Sequence, residues 1–283
     1  GGGGGGGGGE AKRLIHGAPP GKAWAAKVAL LKRTFQDTGR STVESDGFAT
    51  FVQDEGHWLK PYALFEVLCE DKGTSDASQW GDHQRLTPTQ IDSLSSPGGG
   101  KYVACRFYYW AQYLLHLQLK KVSEHARRKG VALVCGMPCA TGDRSDAWSR
   151  PEFFRDGRCL GSPPTATAGG KVLGGTSWGC ASYDWERFGR EGYGWWLGRL
   201  KRLSTYFHGV RLGGALGYFR VWELPAGART GLGGRMHACN PITKEELDTA
   251  GLWDRRRLCE PYVRRHLLER RLGDGWVGVA ERF

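Results

Sequence analysis

The sequence predicts an α/β fold, in which amphipathic helices are followed by short apolar strands. Two long helical segments each lead into a run of leucine and β-branched residues that is typical of a buried strand. Hydrophobic residues make up 40% of the 283 residues and include 12 Trp and 10 Tyr, so there is enough apolar volume for a core. The composition therefore indicates a folded chain of mixed helix and strand.

The first 50 residues are predicted to be a low-complexity start followed by one helix, with a second region at residues 51–283. Gly1–Gly9 is a glycine run that cannot pack a core. Pro20–Gly39 has an apolar face and a basic face, and Gly39 is expected to stop the helix. The apolar face consists of Trp24, Val28, Leu31 and Phe35.

The middle of the chain predicts the longest helix and a strand after it. Gln84–Gly100 is polar and ends in Pro-Gly-Gly-Gly, which indicates a linker. Tyr102–Lys129 has an aromatic face, which we interpret as core, and a basic end. Val131–Val134 follows as a strand.

The second half repeats this order after a surface loop. Gly157–Gly175 is dominated by Gly, Pro and Thr, which favours a loop. Trp195–Phe207 is predicted to be a helix that leads into a strand at His208–Leu212. Thr243–Gly251 begins with a capping residue and acids, and Pro261–Leu272 begins with proline, as helices do.

Short motifs rich in Trp, Tyr and Gly extend from about Phe51 to about Leu268. They include His57-Trp58-Leu59-Lys60-Pro61-Tyr62-Ala63, Ser78-Gln79-Trp80-Gly81, Ser177-Trp178-Gly179, Tyr183-Asp184-Trp185-Glu186, Gly192-Tyr193-Gly194-Trp195-Trp196 and Trp222-Glu223-Leu224-Pro225. In type and order these motifs resemble the plant-type 4-α-glucanotransferases, the disproportionating enzymes of glycoside hydrolase family 77. The resemblance implies a (β/α) TIM barrel of glucanotransferase type, with a helical insert at Phe51–Glu70.

The segment 210–223 departs from the family at its most important position. It runs Val-Arg-Leu-Gly-Gly-Ala-Leu-Gly-Tyr-Phe-Arg-Val-Trp-Glu, where the family has Tyr-Arg-Ile-Asp-His-Ile-Leu-Gly-Phe-Phe-Arg-Ile-Trp-Glu. Gly213 therefore stands in place of the nucleophilic Asp and Gly214 in place of the adjacent His, while Arg211 is kept. A retaining transferase needs two carboxylates about 5–5.5 Å apart, and glycine supplies none.

Other positions of the implied sugar site have changed in the same direction. Gly136 and Thr165 stand where the family has carboxylates, and Ser177 replaces an Asn. A slipped alignment, with Glu223 or Asp184 as the working acid, is the alternative. The resemblance thus implies a pseudoenzyme to which no catalytic residue carries over.

Length predicts an incomplete barrel. A complete barrel takes about 250 residues of strand and helix, and the first 50 residues are not barrel-like. The family's acid/base Glu and third carboxylate have no counterpart before Phe283. Because half a barrel has open strand edges, we expect partners to cover it.

No metal, cofactor or membrane association is predicted. The eight cysteines show no zinc-ligand spacing, and Cys135 with Cys139 is at most a weak metal or disulfide pair. No apolar run reaches the ~18 residues of a membrane helix, and Gly1–Ala11 lacks the features of a secretory signal.

Charge is the remaining functional signal. The net charge is +11, and residues 199–271 contain fifteen Lys/Arg against seven Asp/Glu. A neutral glucan carries no anionic group that would pair with this positive charge, whereas the phosphates of RNA would pair with it. The predicted RNA-binding residues are Arg255, Arg256, Arg257, Arg264, Arg265, Arg270 and Arg271.

Three functions fit these observations. The preferred hypothesis is an inactive glucanotransferase homologue that serves as a structural subunit of a large ribonucleoprotein, a mitochondrial ribosome, where it contacts rRNA and neighbouring proteins and has no small-molecule substrate. Its predicted location is the mitochondrial matrix, with the cytoplasm as the alternative. The other two are a 4-α-glucanotransferase whose remaining strands come from elsewhere, and a non-catalytic glucan-binding subunit that uses Trp58, Trp178 and Trp222 as sugar platforms.

Overall fold

The computed structural model describes residues 20–140, 144–167, 171–252, 254 and 265–281. Contacts divide the chain into two compact units, Gly1–Cys239 and Asn240–Phe283. The predicted boundary at residue 50 falls inside the first unit. Helices and strands alternate there as the sequence predicted, so the α/β class is confirmed.

The first unit begins with four helices around one hydrophobic cluster. They are α1 (Pro20–Val43), α2 (Asp46–Lys72), α3 (Pro88–Ser95) and α4 (Tyr102–Arg128). The buried residues of this cluster include Phe51, Leu59, Leu64 and Leu68 of α2, Cys105, Tyr109 and Trp110 of α4, and Trp80 from the segment between α2 and α3. The aromatic face of α4 is thus core, as predicted.

Helix α1 continues past Gly39, where the sequence predicted a stop. The ring of Phe35 occupies the space that a side chain at Gly39 would fill. Glycine is therefore required there for packing. The helix ends four residues later, at Val43.

Helix α3 lies inside the predicted polar linker Gln84–Gly100. Its first turn is a capping box: the Thr87 hydroxyl accepts from Gln90 N, and the Gln90 side chain accepts from Thr87 N. Pro88 occupies the first helical position, where its missing N–H costs nothing. These local hydrogen bonds stabilise a helix that the polar composition of the segment did not predict.

The rest of the first unit contains three short helices and eight strands among its described residues. The helices are α5 (Arg144–Ser149), α6 (Trp185–Arg190) and α7 (Gly194–Ser204). The strands are β1 (Val134–Pro138), β2 (Phe154–Ser162), β3 (Thr165–Ala166), β4 (Val172–Leu173), β5 (Thr176–Tyr183), β6 (Gly209–Gly213), β7 (Arg220–Pro225) and β8 (Arg235–Ala238).

Strands β1 and β6 form a two-stranded parallel sheet. Strand β1 starts three residues later than predicted because the preceding residues complete the end of α4. Gly130 has φ 68°, and Val131 N donates to Ala126 O, which caps the helix. Helix α7 precedes β6 directly, as predicted.

Four strands form an antiparallel sheet in the order β5–β2–β7–β8. The predicted loop Gly157–Gly175 is in part wrong, since β2 continues to Ser162 and β5 begins at Thr176. A side chain at Gly161 would overlap the carbonyl oxygen of Thr176. Its glycine marks a close approach of two strands rather than a loop.

An ion pair lies buried in this sheet. The Glu223 side chain is fully buried, and its Oε1 accepts from the Ser182 hydroxyl at 2.7 Å. Arg155 Nε lies 2.8 Å from the same oxygen, but its N–H is not aimed at it. Oε2 has no hydrogen-bond partner among the described residues, so this carboxylate depends on Arg155 for its compensation.

A second polar cluster joins the helices to α7. Arg202 pairs with Glu55 at 2.5 Å and donates to His116 Nδ1 at 3.2 Å. Tyr206 O–H lies 2.7 Å from the same nitrogen. Because Arg202 can only donate, Nδ1 accepts, and His116 is neutral in this arrangement.

The described residues of the second unit form three short helices, α8 (Lys244–Thr249), α9 (Arg265–Leu272) and α10 (Trp276–Ala280). Thr243 caps α8 in a capping box with Glu246, which confirms the predicted start. The first part of the predicted helix Pro261–Leu272 lies outside the described residues.

Replacing Arg155 by Met should destabilise the first unit strongly. The change leaves the Glu223 carboxylate buried without a counter-charge, which costs about 3–5 kcal/mol of unfolding free energy. Arg187→Met is the matched control, because Arg187 pairs with Glu191 on the surface at 2.7 Å and should cost less than about 0.5 kcal/mol. Urea unfolding measures both. Equal losses would show that the buried pair contributes no more than a surface pair.

Stability should fall on acidification through His116. Burial, then the charges of Arg202 and Lys120, lower the pKa of this imidazole, against a smaller opposing effect of Glu55. Below the ordinary pKa of about 6.5, the unfolded chain takes up the proton first, and unfolding is favoured. Unfolding free energies at pH 7.5 and 5.5 should therefore differ more in the wild type than in His116→Gln. The same difference in both proteins would contradict this origin.

Candidate functional site

The parallel pair β1–β6 places two of the predicted site positions at one edge. Pro138 lies opposite Gly213 at the carboxyl ends of both strands, and Gly136 lies opposite Arg211 two residues before those ends. In α/β folds, ligands bind beyond the carboxyl ends of parallel strands. We therefore take this carboxyl edge as the candidate site.

Space for side chains exists at both glycines of the edge. A Cβ at Gly136 would have no neighbour within 4 Å, and one at Gly213 would lie 3.6 Å from Met137 O, an ordinary contact. Neither residue has a positive φ. The backbone would accept an Asp or Glu side chain at either position. No steric clash therefore accounts for the lack of a carboxylate there.

Gly214 differs from these two. Its φ is 67°, in the left-handed region that glycine adopts freely. A Cβ there would also lie 3.1 Å from Cys139 Sγ, and one at Gly217 would overlap the Cys139 side chain. Cys139 therefore packs over the two glycines that follow the nucleophile position.

Aromatic residues form the wall beside this edge. Tyr218 donates its O–H to Met137 O at 3.3 Å. Its ring packs on Trp185 and Trp196, whose own rings stack at 5.2 Å between centroids. Burial, then the nearby Cys139 thiol, raises the pKa of Tyr218, so the phenol remains a hydrogen-bond donor.

Strand β5 contains Cys180 and Trp178. Burial raises the pKa of the Cys180 thiol, and the neighbouring thiols of Cys159 and Cys139 add to the shift while Arg144 opposes it. Trp178, two residues away on β5, is half exposed.

The two alternative carboxylates are already engaged. Glu223 is buried in its ion pair with Arg155 and cannot reach a sugar. Asp184 caps α6, where its carboxylate accepts from Arg187 N at 2.9 Å. Neither carboxylate compensates for Gly213.

The other predicted positions are dispersed. Arg211 is exposed on β6, and Thr165 lies on the separate β3–β4 hairpin, opposite Leu173. Among the three predicted sugar platforms, only Trp178 presents half of its surface to solvent. Trp58 packs against the helical core, and Trp222 donates to Gly231 O at 3.0 Å.

The predicted RNA-binding arginines are only partly described. Arg255, Arg256, Arg257 and Arg264 lie outside the described residues. Arg265 pairs with Glu269 at 2.7 Å and stacks over the Trp276 ring at 4.6 Å, while Arg270 and Arg271 are exposed. Arg265 is thus occupied by partners within its own unit.

Within the described ranges, no group of three or more His, Cys, Asp and Glu side chains is arranged to hold a metal ion. None of the helices described there is long and apolar enough to cross a membrane. Cys135 and Cys139 are both free thiols.

Sequence reasoning missed two residues of this edge. Cys139 was considered only for its spacing from Cys135, although it covers Gly214 and Gly217. Tyr218 stands within the family pattern where the family has Phe, and its extra hydroxyl was the available signal.

Comparison with known proteins gives a consistent result. Residues 15–255 match the model of glycoside hydrolase family 77, described as 4-alpha-glucanotransferase. The 4-alpha-glucanotransferase DPE2 of Oryza sativa subsp. japonica is 35% identical over 260 residues, which cover 92% of this chain and 27% of that protein. The 4-alpha-glucanotransferase of Aquifex aeolicus (strain VF5) is 27% identical over 217 residues, 74% of this chain and 42% of that protein.

Solved structures agree on the fold. An amylomaltase from Streptococcus agalactiae in complex with acarbose superposes with a TM-score of 0.60 at 20% identity, covering 84% of this chain and 49% of that one. The amylomaltase from Corynebacterium glutamicum gives a TM-score of 0.53 at 21% identity, covering 77% and 28%. The chain spans half or less of each of these proteins.

These findings overturn the ribonucleoprotein hypothesis. The prediction of a ribosomal subunit that binds rRNA and neighbouring proteins, with no small-molecule substrate, is wrong, because the matching family and relatives are glucan-processing enzymes. A basic net charge describes a surface without identifying its ligand. The mitochondrial location stays a prediction. The chain belongs to the 4-alpha-glucanotransferase family, glycoside hydrolase family 77.

Proposed function

We propose that this chain binds an α-1,4-glucan at the carboxyl edge of β1 and β6 without itself forming a glycosyl-enzyme intermediate. The observation that carries the proposal is Gly213, which lies at the end of β6 in the position of the family's nucleophile. A retaining transferase must form and then resolve a covalent bond to the sugar. Glycine can neither form that bond nor stabilise the developing charge.

Glucan recognition is supported by what the site keeps. The chain is a member of a glucanotransferase family, and Trp178 on β5 offers a half-exposed indole surface. Ligand sites combine such aromatic surfaces with a few polar groups. Arg211, two residues before Gly213 on β6, supplies hydrogen-bond donors, while the Tyr218 hydroxyl oxygen, whose O–H is bonded to Met137 O, can accept one.

The two candidate carboxylates already have partners within the protein, which supports the absence of a covalent step. Glu223 is buried in an ion pair and Asp184 caps a helix, so neither can replace the missing Asp. Among the described residues of the edge, Gly136 likewise carries no carboxylate. We infer that sugar binds there without turnover by this chain.

We further infer that β1 and β6 are neighbouring strands of a partial TIM barrel with a helical insert. Their parallel pairing, the helix α7 before β6 and the likeness to amylomaltases support this arrangement. Helix α2, which contains the predicted Phe51–Glu70, would form the insert.

A second candidate is an active 4-α-glucanotransferase, which the family membership and the retained Arg211 favour. In that case the nucleophile would come from outside the residues described. Release of glucose from maltotriose distinguishes the two candidates.

The three glycines of the edge should respond differently to substitution. Gly213→Asp and Gly136→Asp should unfold within about 0.5 kcal/mol of the wild type, since the added side chains meet free space. Gly214→Ala should cost about 1–2 kcal/mol because of its left-handed backbone. Urea unfolding measures all three. An equally large loss for Gly213→Asp would refute the claim that the position accepts a carboxylate.

Maltoheptaose should bind to the chain without being rearranged. Trp178→Ala should weaken binding about tenfold or more, roughly 1.4 kcal/mol, in isothermal titration calorimetry. Trp24→Ala is the matched control, because Trp24 is 66% exposed on α1 and belongs to no part of the edge. It should bind like the wild type.

The same preparations should release no glucose from maltotriose above the background of the buffer. Glucose release by the wild type that is lost in Arg211→Ala would replace this proposal by the active transferase. Absence of any maltoheptaose binding would refute glucan recognition altogether.

A further inference from the structure

A cavity of the first unit lies apart from the carboxyl edge. A cleft of about 560 Å³ opens between the turn that contains Ser75 and the antiparallel sheet, and the rings of Trp148 and Phe65 form part of its wall. We call it the arginine cleft. Arg85, Arg144 and Arg158 line it, from a loop, from α5 and from β2 respectively. Three separate elements thus bring guanidinium groups to one cavity.

Two of these guanidinium groups are uncompensated. Arg144 donates to the Ser75 hydroxyl at 2.8 Å. Arg85 and Arg158 have neither an ion pair nor a hydrogen bond to another described residue. Arg158 is partly buried, so its guanidinium has lost part of its contact with water, whereas Arg85 is exposed at the rim. An anionic ligand would supply the missing partner.

The carboxylates of the cleft only partly balance this charge. Asp76 accepts hydrogen bonds from Ser78 and Gln79, which lower its pKa, and Arg144 adds a smaller effect. Its charge is therefore already stabilised within its own turn. Asp156 is exposed and also lines the cleft, where it opposes an anion.

The positive charge of the cleft and the residues of the neighbouring strand β5 together indicate the class of ligand. Ser177 and Cys180, which flank Trp178 along β5, also line the cleft, so the cleft adjoins the strand that carries the proposed sugar-binding indole. A neutral glucan leaves the arginines without a partner. Arginine recognises phosphate through paired N–H donors, and a phosphate ester on a glucose unit would bring both chemistries together.

We propose that the arginine cleft binds a phosphate monoester carried by a hexose unit, with Arg85 and Arg158 as its principal ligands and Arg144 beside them. The glucan part of this ligand rests on the proposed function above. The phosphate part rests only on the cleft.

Titration calorimetry of the whole chain at low and moderate salt tests the proposal. The probes are maltoheptaose, maltoheptaose with one 6-phosphate, glucose 6-phosphate and inorganic phosphate. Phosphorylated maltoheptaose should bind about tenfold more tightly than maltoheptaose at low salt, and only the phosphorylated probe should weaken as salt rises. Phosphate should compete with it.

Substitutions in the cleft distinguish a site that binds the phosphate charge from one that only forms hydrogen bonds to the ligand. Arg85→Ala and Arg158→Ala should abolish the tenfold advantage of the phosphorylated probe while leaving maltoheptaose binding and the unfolding midpoint unchanged. Asp156→Asn should strengthen phosphate binding, since it removes the opposing charge. Arg127→Ala, an exposed arginine of α4 outside the cleft, is the control and should change nothing.

The outcomes keep the two proposals apart. If glucose 6-phosphate binds with the same affinity as phosphorylated maltoheptaose, the ligand of the cleft is a free sugar phosphate. If phosphorylated maltoheptaose binds more tightly, the ligand is a phosphorylated glucan. Glucose 6-phosphate binding without maltoheptaose binding would refute the glucan function and retain the cleft. No advantage for the phosphorylated probe, or weaker binding in Asp156→Asn, would overturn the cleft proposal.

Discussion

The parallel pairing of β1 with β6 is the constraint on which the rest of the first unit depends. Parallel neighbours need a long crossover, and here residues 139–208 form it, including the α5–α7 helices and two strands of the antiparallel sheet. The register that places Val134 opposite Gly209 also brings Gly136 and Gly213 to one edge. Fold and site are therefore set by the same hydrogen bonds.

The aromatic cluster beside that edge shapes it independently of the two glycines. Trp185, Trp196 and Tyr218 pack on each other, and the main chain of β1 is tied to them through Met137 O. None of these contacts involves a side chain at Gly213 or Gly136. The packing of the edge and the side chains at these two positions therefore depend on different residues.

Local periodicity made much of the fold predictable. Helix α4 and the start of α8 were predicted closely because their apolar faces and capping residues act within a few residues of the chain. Most of strand β2 was missed because it extends into Gly157–Gly175, a segment whose Gly, Pro and Thr content is typical of loops. Only the close approach of Gly161 to Thr176, a contact between distant segments, explains that composition.

The site was predictable only where a motif carried it. Gly213 and Gly136 could be placed from sequence because a family pattern surrounds them, whereas Arg85, Arg144 and Arg158 are far apart in the chain and meet only in the fold. The RNA hypothesis failed for a related reason. Net charge is a sum over the whole chain, so it does not show which arginine side chains lie close together in the fold.

Cys139 has a consequence for substitution at this edge. With its thiol against Gly214 and Gly217, and with Gly214 in a left-handed conformation, a side chain as large as His at position 214 requires Cys139 and the local backbone to shift. An Asp at position 213 requires no such shift. A carboxylate and an imidazole installed side by side at these positions would therefore need a third change, at Cys139.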